Sequence, residues 1–168
     1  MIIHDNVISD NLIKSTIKEF DSFTENKKWK SSKEWTDQDV SQDNPILHKS
    51  VKPSKLHNAL EEYLSPVFLE TSTTKILYNY YIWKIGCSLE MHRDNDYSFG
   101  ATLYLNSHWS IHWGGLFIWQ DKYTEGLKAI CPSQGTLVIN DKQENHAVTT
   151  VTKLAEYNRL TVQMWGVK

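Results

Sequence analysis

The chain is poor in cysteine. Only Cys87 and Cys131 occur in its 168 residues, too few for a disulfide framework, and neither stands in the CxxC or CxxxH spacing of structural zinc. Both sit in apolar, strand-like runs and read as buried free thiols. An excess of either charge is missing too. The net charge is −2 with acids and bases interspersed, so no basic field advertises nucleic acid or an acidic membrane surface as a partner. No apolar run approaches the roughly 20 residues of a membrane span. The opening MIIHDNVISDN lacks the basic start and apolar stretch of a signal peptide. The expectation is a cytoplasmic chain with no membrane partner and no nucleic-acid partner. Internal repeats, low-complexity tracts, a phosphate-cradling glycine-rich loop and a GxSxG nucleophile turn are absent as well.

What is present suits one globular domain spanning residues 1–168, since 40% hydrophobic and 23% charged residues exclude a disordered tail and a coiled coil. Residues 1–74 read as mainly helical support. Ser9 or Asp10 caps a helix whose Leu12, Ile13, Ile17 and Phe20 recur on one face. Pro53 suits the first turn of a second helix, with Leu56, Ala59, Leu60, Tyr63 and Leu64 as its apolar stripe and Pro66 ending or kinking it. The polar stretch 26–44, with Trp29 and Trp35, reads as a surface loop, with a substrate-covering lid as the alternative.

From residue 75 to 168 the pattern changes to strands. ILYNYYIWKI, CSLEMH, ATLYLN, GLFIWQ, LKAI, TLVIN, HAVTTV and RLTVQMWG are short, rich in β-branched and aromatic residues, and separated by turn formers. About eight such strands predict a sandwich or barrel with the helices packed on one outer face, an α+β chain that is mainly β.

His92 and Asp94 stand two apart, so on a strand they share a face. His146, opening another run, supplies a third metal corner. Two histidines and one carboxylate leave three positions open on an octahedral metal, the arrangement of non-haem iron(II) that takes a chelating cosubstrate and dioxygen together. Taken alone, HxD is common by chance, and structural zinc at the same trio stays open. Arg159 opens the last strand and shares a face with Thr161, Gln163 and Trp165. It faces either solvent or a polar cavity; in a cavity its planar fork suits bidentate capture of a carboxylate. His108 and His112, among Trp109 and Trp113, read as a loop near the mouth of the barrel that packs locally or touches substrate. His4, His48 and His57 lack partners at metal spacing and read as surface or helix histidines.

Several of these segments occur in a familiar order. Gly86 precedes His92 and Asp94; ATLYLN is followed by GGLFIW, then NHAVTTV, then RLTVQMW. From about Tyr80 onward the chain resembles the prolyl-hydroxylase-type branch of the 2-oxoglutarate/Fe(II) oxygenases. The resemblance implies a double-stranded β-helix (jelly roll) with His92, Asp94 and His146 as iron ligands and catalytic centre. It implies Arg159 and Tyr104 on the far carboxylate of 2-oxoglutarate, Thr161 and Gln163 beside that cosubstrate, and Trp165 packed behind the site or simply in the core. Fe(II), 2-oxoglutarate and dioxygen are then required, with ascorbate as a candidate reductant. The implied reaction is hydroxylation of a C–H bond, first of a peptidyl or protein side chain such as proline, with a free amino acid or small metabolite next. Asp94 stands where radical halogenases carry a small residue. Trp165 stands where the AlkB-like nucleic-acid demethylases carry a second arginine. A non-catalytic, metal-binding cupin-like jelly roll is the rival from another class.

Overall fold

The computed structural model describes residues 1–31 and 46–168. The two expected helices form as α1 (Asp10–Glu25) and α2 (Lys55–Thr71). All eight expected strands form: β4 (Lys75–Trp83), β5 (Leu89–His92), β6 (Phe99–Tyr104), β7 (Phe117–Gln120), β8 (Leu127–Ile130), β9 (Leu137–Asn140), β10 (His146–Val148) and β11 (Arg159–Val167). Three further strands lie in the part read as helical: β1 (Ile2–His4), β2 (Lys30–Ser31) and β3 (Leu47–Ser50). At two to four residues they are too short for alternation to register in sequence, and pairing onto existing edges makes them strands. β1 adds to β9, and β3 adds to β4 with β2 outside it. The polar stretch expected to be a loop thus contains β2. Residues 32–45, including Trp35, lie outside the described residues, and so does the lid alternative. Trp29 packs against Phe20 and Phe23.

The strands make two sheets, one of seven strands in the order β1-β9-β6-β11-β4-β3-β2 and one of four in the order β5-β10-β7-β8. The large sheet serves two cores by alternation. Tyr78, Tyr80, Ile82, Phe99, Ala101, Leu103, Val162 and Met164 face the helices and pack with Ile13, Phe20, Leu56, Leu60 and Leu64. Tyr81, Trp83, Tyr104 and Trp165 face the small sheet and pack with Leu89, Phe117, Trp119 and Val148. Helices on one outer face and a second sheet on the other make the jelly roll with helical support. No helix among the described residues is long and apolar enough to cross a membrane.

Local details correct several expectations. Ser54, not Pro53, is the N-cap of α2, so the proline lies outside the helix. Pro66 does not end the helix, which runs on to Thr71. A proline there leaves the Glu62 carbonyl without its helical N–H, and the Ser65 hydroxyl donates to that carbonyl at 2.9 Å instead. Cys87 is buried, but Cys131 is only half-buried. His4 is exposed, whereas His48 is buried on β3.

His57 is fully buried on α2, not at the surface. Its Nδ1 accepts from the Ser54 backbone N–H at 2.7 Å, and its ring lies 4.1 Å from that of Tyr78. Burial pushes its pKa down from 6.5 to about 4. Between those pH values the unfolded chain binds a proton that the folded chain refuses, so acidification through this window costs stability. His57→Gln keeps an acceptor for Ser54 and removes the titration. Urea unfolding at several pH values is therefore expected to show the parent losing stability relative to His57→Gln as pH falls from 6.5 to 4, with no further divergence below.

Candidate active site

His92 ends β5 and His146 opens β10, and the antiparallel register sets the two directly opposite each other, with ring centroids 4.3 Å apart. The sequence puts Asp94 on the same strand as His92, but β5 stops at His92 and Asp94 falls in the segment that follows. Its carboxylate still reaches both imidazoles. Oδ1 is 3.6 Å from His92 Nε2, and Oδ2 is 3.5 Å from His146 Nε2. Gly100 on β6 makes room for it: a Cβ there would lie 2.7 Å from Asp94 Oδ2.

Main-chain carbonyls orient both rings. His92 Nδ1 lies 2.8 Å from the Glu90 carbonyl, and His146 Nδ1 lies 3.0 Å from the Glu144 carbonyl. A carbonyl only accepts, so each Nδ1 carries the proton and each Nε2 keeps its lone pair. Asn140 braces the second carbonyl, donating to it from Nδ2 at 3.0 Å and accepting from the Glu144 N–H at 2.9 Å. Burial lowers the pKa of His146 against the opposing pull of Asp94, which favours the neutral imidazole a metal requires. One ligand atom from each of the three residues falls within a common 4.8 Å. Two imidazole nitrogens and one carboxylate, without sulfur, fit iron(II).

A cavity runs inward from this trio, lined also by Trp83, Leu89, Thr102, Phe117, Val148, Arg159, Gln163 and Trp165. Arg159 is fully buried. Its guanidinium carbon lies 4.7 Å from the centre of the Trp83 ring and 5.0 Å from that of Tyr104. Among the described residues its Nε, Nη1 and Nη2 and the Tyr104 hydroxyl make no hydrogen bond of good geometry, although the guanidinium and the phenol lie close enough to interact with each other. Burial depresses the pKa of Arg159 and pushes that of Tyr104 up to about 12, the arginine charge partly opposing the latter. A buried cation with idle donors is costly until an anion reaches it. The trio and Arg159 line the same cavity, so its donor set matches the chemistry of a dicarboxylate that chelates a metal through one end.

Arg159 therefore faces inward, not solvent, and its surroundings show why. Asn106 accepts from the Leu160 N–H at 2.7 Å and donates to the Asn158 carbonyl at 2.9 Å, clamping the start of β11 on either side of it. Gly115, at φ +61°, lies so close that a Cβ there would be 3.0 Å from Arg159 Cδ. In the HWSIHWGG stretch the two tryptophans pack locally. Trp109 and Trp113 are buried in the inter-sheet core, His108 and His112 are exposed, and none of the four lines this cavity.

The remaining residues on the inner face divide. Gln163 lines the cavity, whereas Tyr104 and Thr161 do not. Thr161 accepts from the Trp83 indole at 3.1 Å and so holds a wall residue in place. Sequence reasoning missed Trp83, Leu89, Thr102, Phe117 and Val148 on the walls, and Gly100 and Asn106 behind them. The alternation that put Tyr104 on the inner face of β6 also puts Thr102 and Gly100 there.

With this geometry, the family model described as the 2OG-Fe(II) oxygenase superfamily matches residues 76–166. The chain belongs to this superfamily. It is a 2-oxoglutarate- and Fe(II)-dependent dioxygenase, which sets aside the non-catalytic cupin-like reading. No curated protein is significantly similar to it. Among solved structures, a prolyl-4-hydroxylase of Pseudomonas putida superposes with TM-score 0.77 at 16% identity, covering 99% of this chain and 91% of that one. A Trichoplax adhaerens prolyl hydroxylase, in complex with a hypoxia inducible factor oxygen degradation domain peptide fragment, gives 0.74 at 15% identity over 99% and 82%. The viral collagen prolyl hydroxylase of Paramecium Bursaria Chlorella virus-1 gives 0.69 at 13% over 99% and 96%. At such identities the likeness speaks to the fold.

Because the buried guanidinium has no anionic partner among the described residues, Arg159→Met is expected to stabilise the dioxygenase in the absence of ligands, by up to about 2 kcal/mol. Thermal melts of metal-free, cosubstrate-free protein check this; a large loss of stability would mean that Arg159 is a structural support.

Proposed function

We propose that this dioxygenase holds iron(II) with His92, Asp94 and His146, anchors the far carboxylate of 2-oxoglutarate with Arg159, and hydroxylates a peptidyl or protein side chain, proline first. The observation that supports the site assignment is the pairing of two demands in one cavity: three metal-ligand atoms and a buried guanidinium that meets no anionic partner among the described residues. Bound iron(II) would let dioxygen act as the oxidant: 2-oxoglutarate would give up two electrons and carbon dioxide, taking one oxygen atom to become succinate, and the other oxygen atom would enter the substrate C–H bond.

The chain's own groups do the rest. The Glu90 and Glu144 carbonyls keep both imidazoles in the tautomer that offers Nε2 to the metal. Arg159 orients one carboxylate, and Tyr104, buried behind the cavity wall with its ring 5.0 Å from the guanidinium carbon, supports the arginine there. Leu89, Phe117, Val148, Trp83 and Trp165 wall the cavity with apolar surface that keeps bulk water from the reacting atoms.

For the substrate, support comes from the likeness to the bacterial, animal and viral prolyl hydroxylases, of which the animal enzyme carries a peptide. A small-molecule substrate is the second reading. The alpha ketoglutarate dependent epimerase SnoN from nogalamycin biosynthesis shares the fold with a TM-score of 0.69.

Anaerobic addition of iron(II) and 2-oxoglutarate is expected to give the weak visible charge-transfer band of the chelate. His92→Ala and Asp94→Ala are expected to abolish it. Arg159→Met is expected to raise the 2-oxoglutarate concentration needed by about a hundredfold or more, the loss of a charge-assisted pair. If metal binds but the parent forms no band, the assignment fails. Turnover of proline-containing peptides against free amino acids, read as succinate formed and oxygen added by mass spectrometry, separates the two substrate classes.

A further inference from the structure

The cavity has few polar groups. Beyond the metal trio and Arg159, the lining side chains that carry a hydrogen-bonding group are Thr102, Gln163 and the two tryptophans. Thr102 and Gln163 stand directly opposite each other in the β6–β11 register. The Thr102 hydroxyl donates to Gln163 Oε1 at 2.6 Å. With its carbonyl end held this way, the amide of Gln163 has its two N–H donors left for the cavity, and no protein acceptor meets them among the described residues. The Trp83 indole is already used on Thr161.

The position along the strand adds to this. Trp165 pairs with Gly100, whose missing side chain leaves room for the Asp94 carboxylate. Gln163, one pleat before Trp165, therefore stands at the metal end of the inner face, whereas Arg159 opens the strand at the other end. A 2-oxo acid bound at the trio brings a carboxylate and a ketone into surroundings otherwise apolar, where oxygen atoms not on the metal need donors.

We propose that Gln163 donates its amide N–H groups to the metal-binding, 2-oxo acid end of the cosubstrate, and that Thr102 is the positioning residue that turns the amide that way. The inference rests on the cofactor assignment above and adds a second protein anchor to Arg159: one for each end of 2-oxoglutarate. It also accounts for a glutamine, with a donor amide, at a place where a purely apolar wall would exclude water equally well.

The test is an anaerobic titration of the iron(II)-loaded protein with 2-oxoglutarate, read as affinity and as the position of the visible charge-transfer band. Excitation moves charge from metal to oxo acid, so a donor on the oxo acid lowers the band energy. Gln163→Leu is expected to shift the band to shorter wavelength and weaken 2-oxoglutarate binding at least about tenfold, with iron(II) affinity unchanged. Gln163→Glu keeps the shape and the acceptor for Thr102 but presents a carboxylate to a carboxylate, and is expected to weaken binding more than Gln163→Leu does. Thr102→Val is expected to move the band in the same direction as Gln163→Leu, and Thr102→Ser to restore the parent band. The inference is overturned if both Gln163 variants keep the parent's band and affinity, or if Trp165→Phe moves the band while they do not. A parent that forms no band overturns the cofactor assignment itself, so the two failures are distinguishable.

Discussion

Strand β11 is buried on both faces, and that constraint organises the molecule. On one face Val162 and Met164 fill the core under the helices; on the other, Arg159, Thr161, Gln163 and Trp165 face the second sheet. A slip of one residue would exchange the two sets, sending the arginine into hydrocarbon. The strand is pinned against it by nine paired residues on β4 and six on β6. Asn106 adds a side-chain clamp at its first residues. Arg159 can be held in a buried place without a protein anion because the backbone around it is over-determined by these pairings.

The metal trio depends on similar economy. Opposed positions on neighbouring strands bring His92 and His146 together, and short local contacts do the fine orientation: each imidazole is tied to a carbonyl two residues before it. Asp94 arrives from a turn, and its place is kept open by the missing side chain of Gly100. Charge is arranged in the same way. The carboxylate stands between the two rings at one end of the cavity, and the guanidinium is at the other. The walls between are apolar except for Thr102, Gln163 and the indole N–H groups of Trp83 and Trp165. Such a site is polarised along its length and complementary to a molecule that chelates a cation at one end and carries an anion at the other.

Much of this was legible before any coordinates. The eight core strands were readable because each is short and rich in β-branched and aromatic residues between clear turn formers, and the two helices because their apolar stripes recur at helical spacing. His92, Asp94, His146 and Arg159 were readable because residue types with so few structural uses in that order are uncommon together. Strands β1 to β3 were not, since two to four residues carry no period and edge pairing alone defines them. Pro66 misled because the hydroxyl that relieves the broken helix bond belongs to its neighbour Ser65. His57 misled because a histidine on a helix shows nothing in sequence of the sheet that will cover it.

The sequence by itself determined the fold class, the order of elements, and the residue types able to hold iron and a carboxylate, because periodicity and side-chain chemistry are local properties. Tertiary structure alone decided that Arg159 faces a cavity rather than water, and that Thr161 serves Trp83 while Gln163 lines the cavity beside Thr102. It also decided that Gly100 stands behind Asp94 and that the tryptophans of HWSIHWGG are core. Each of those facts is a contact between elements far apart in the chain, set by strand register and by the packing of one sheet on the other, and neither quantity is written in any single segment.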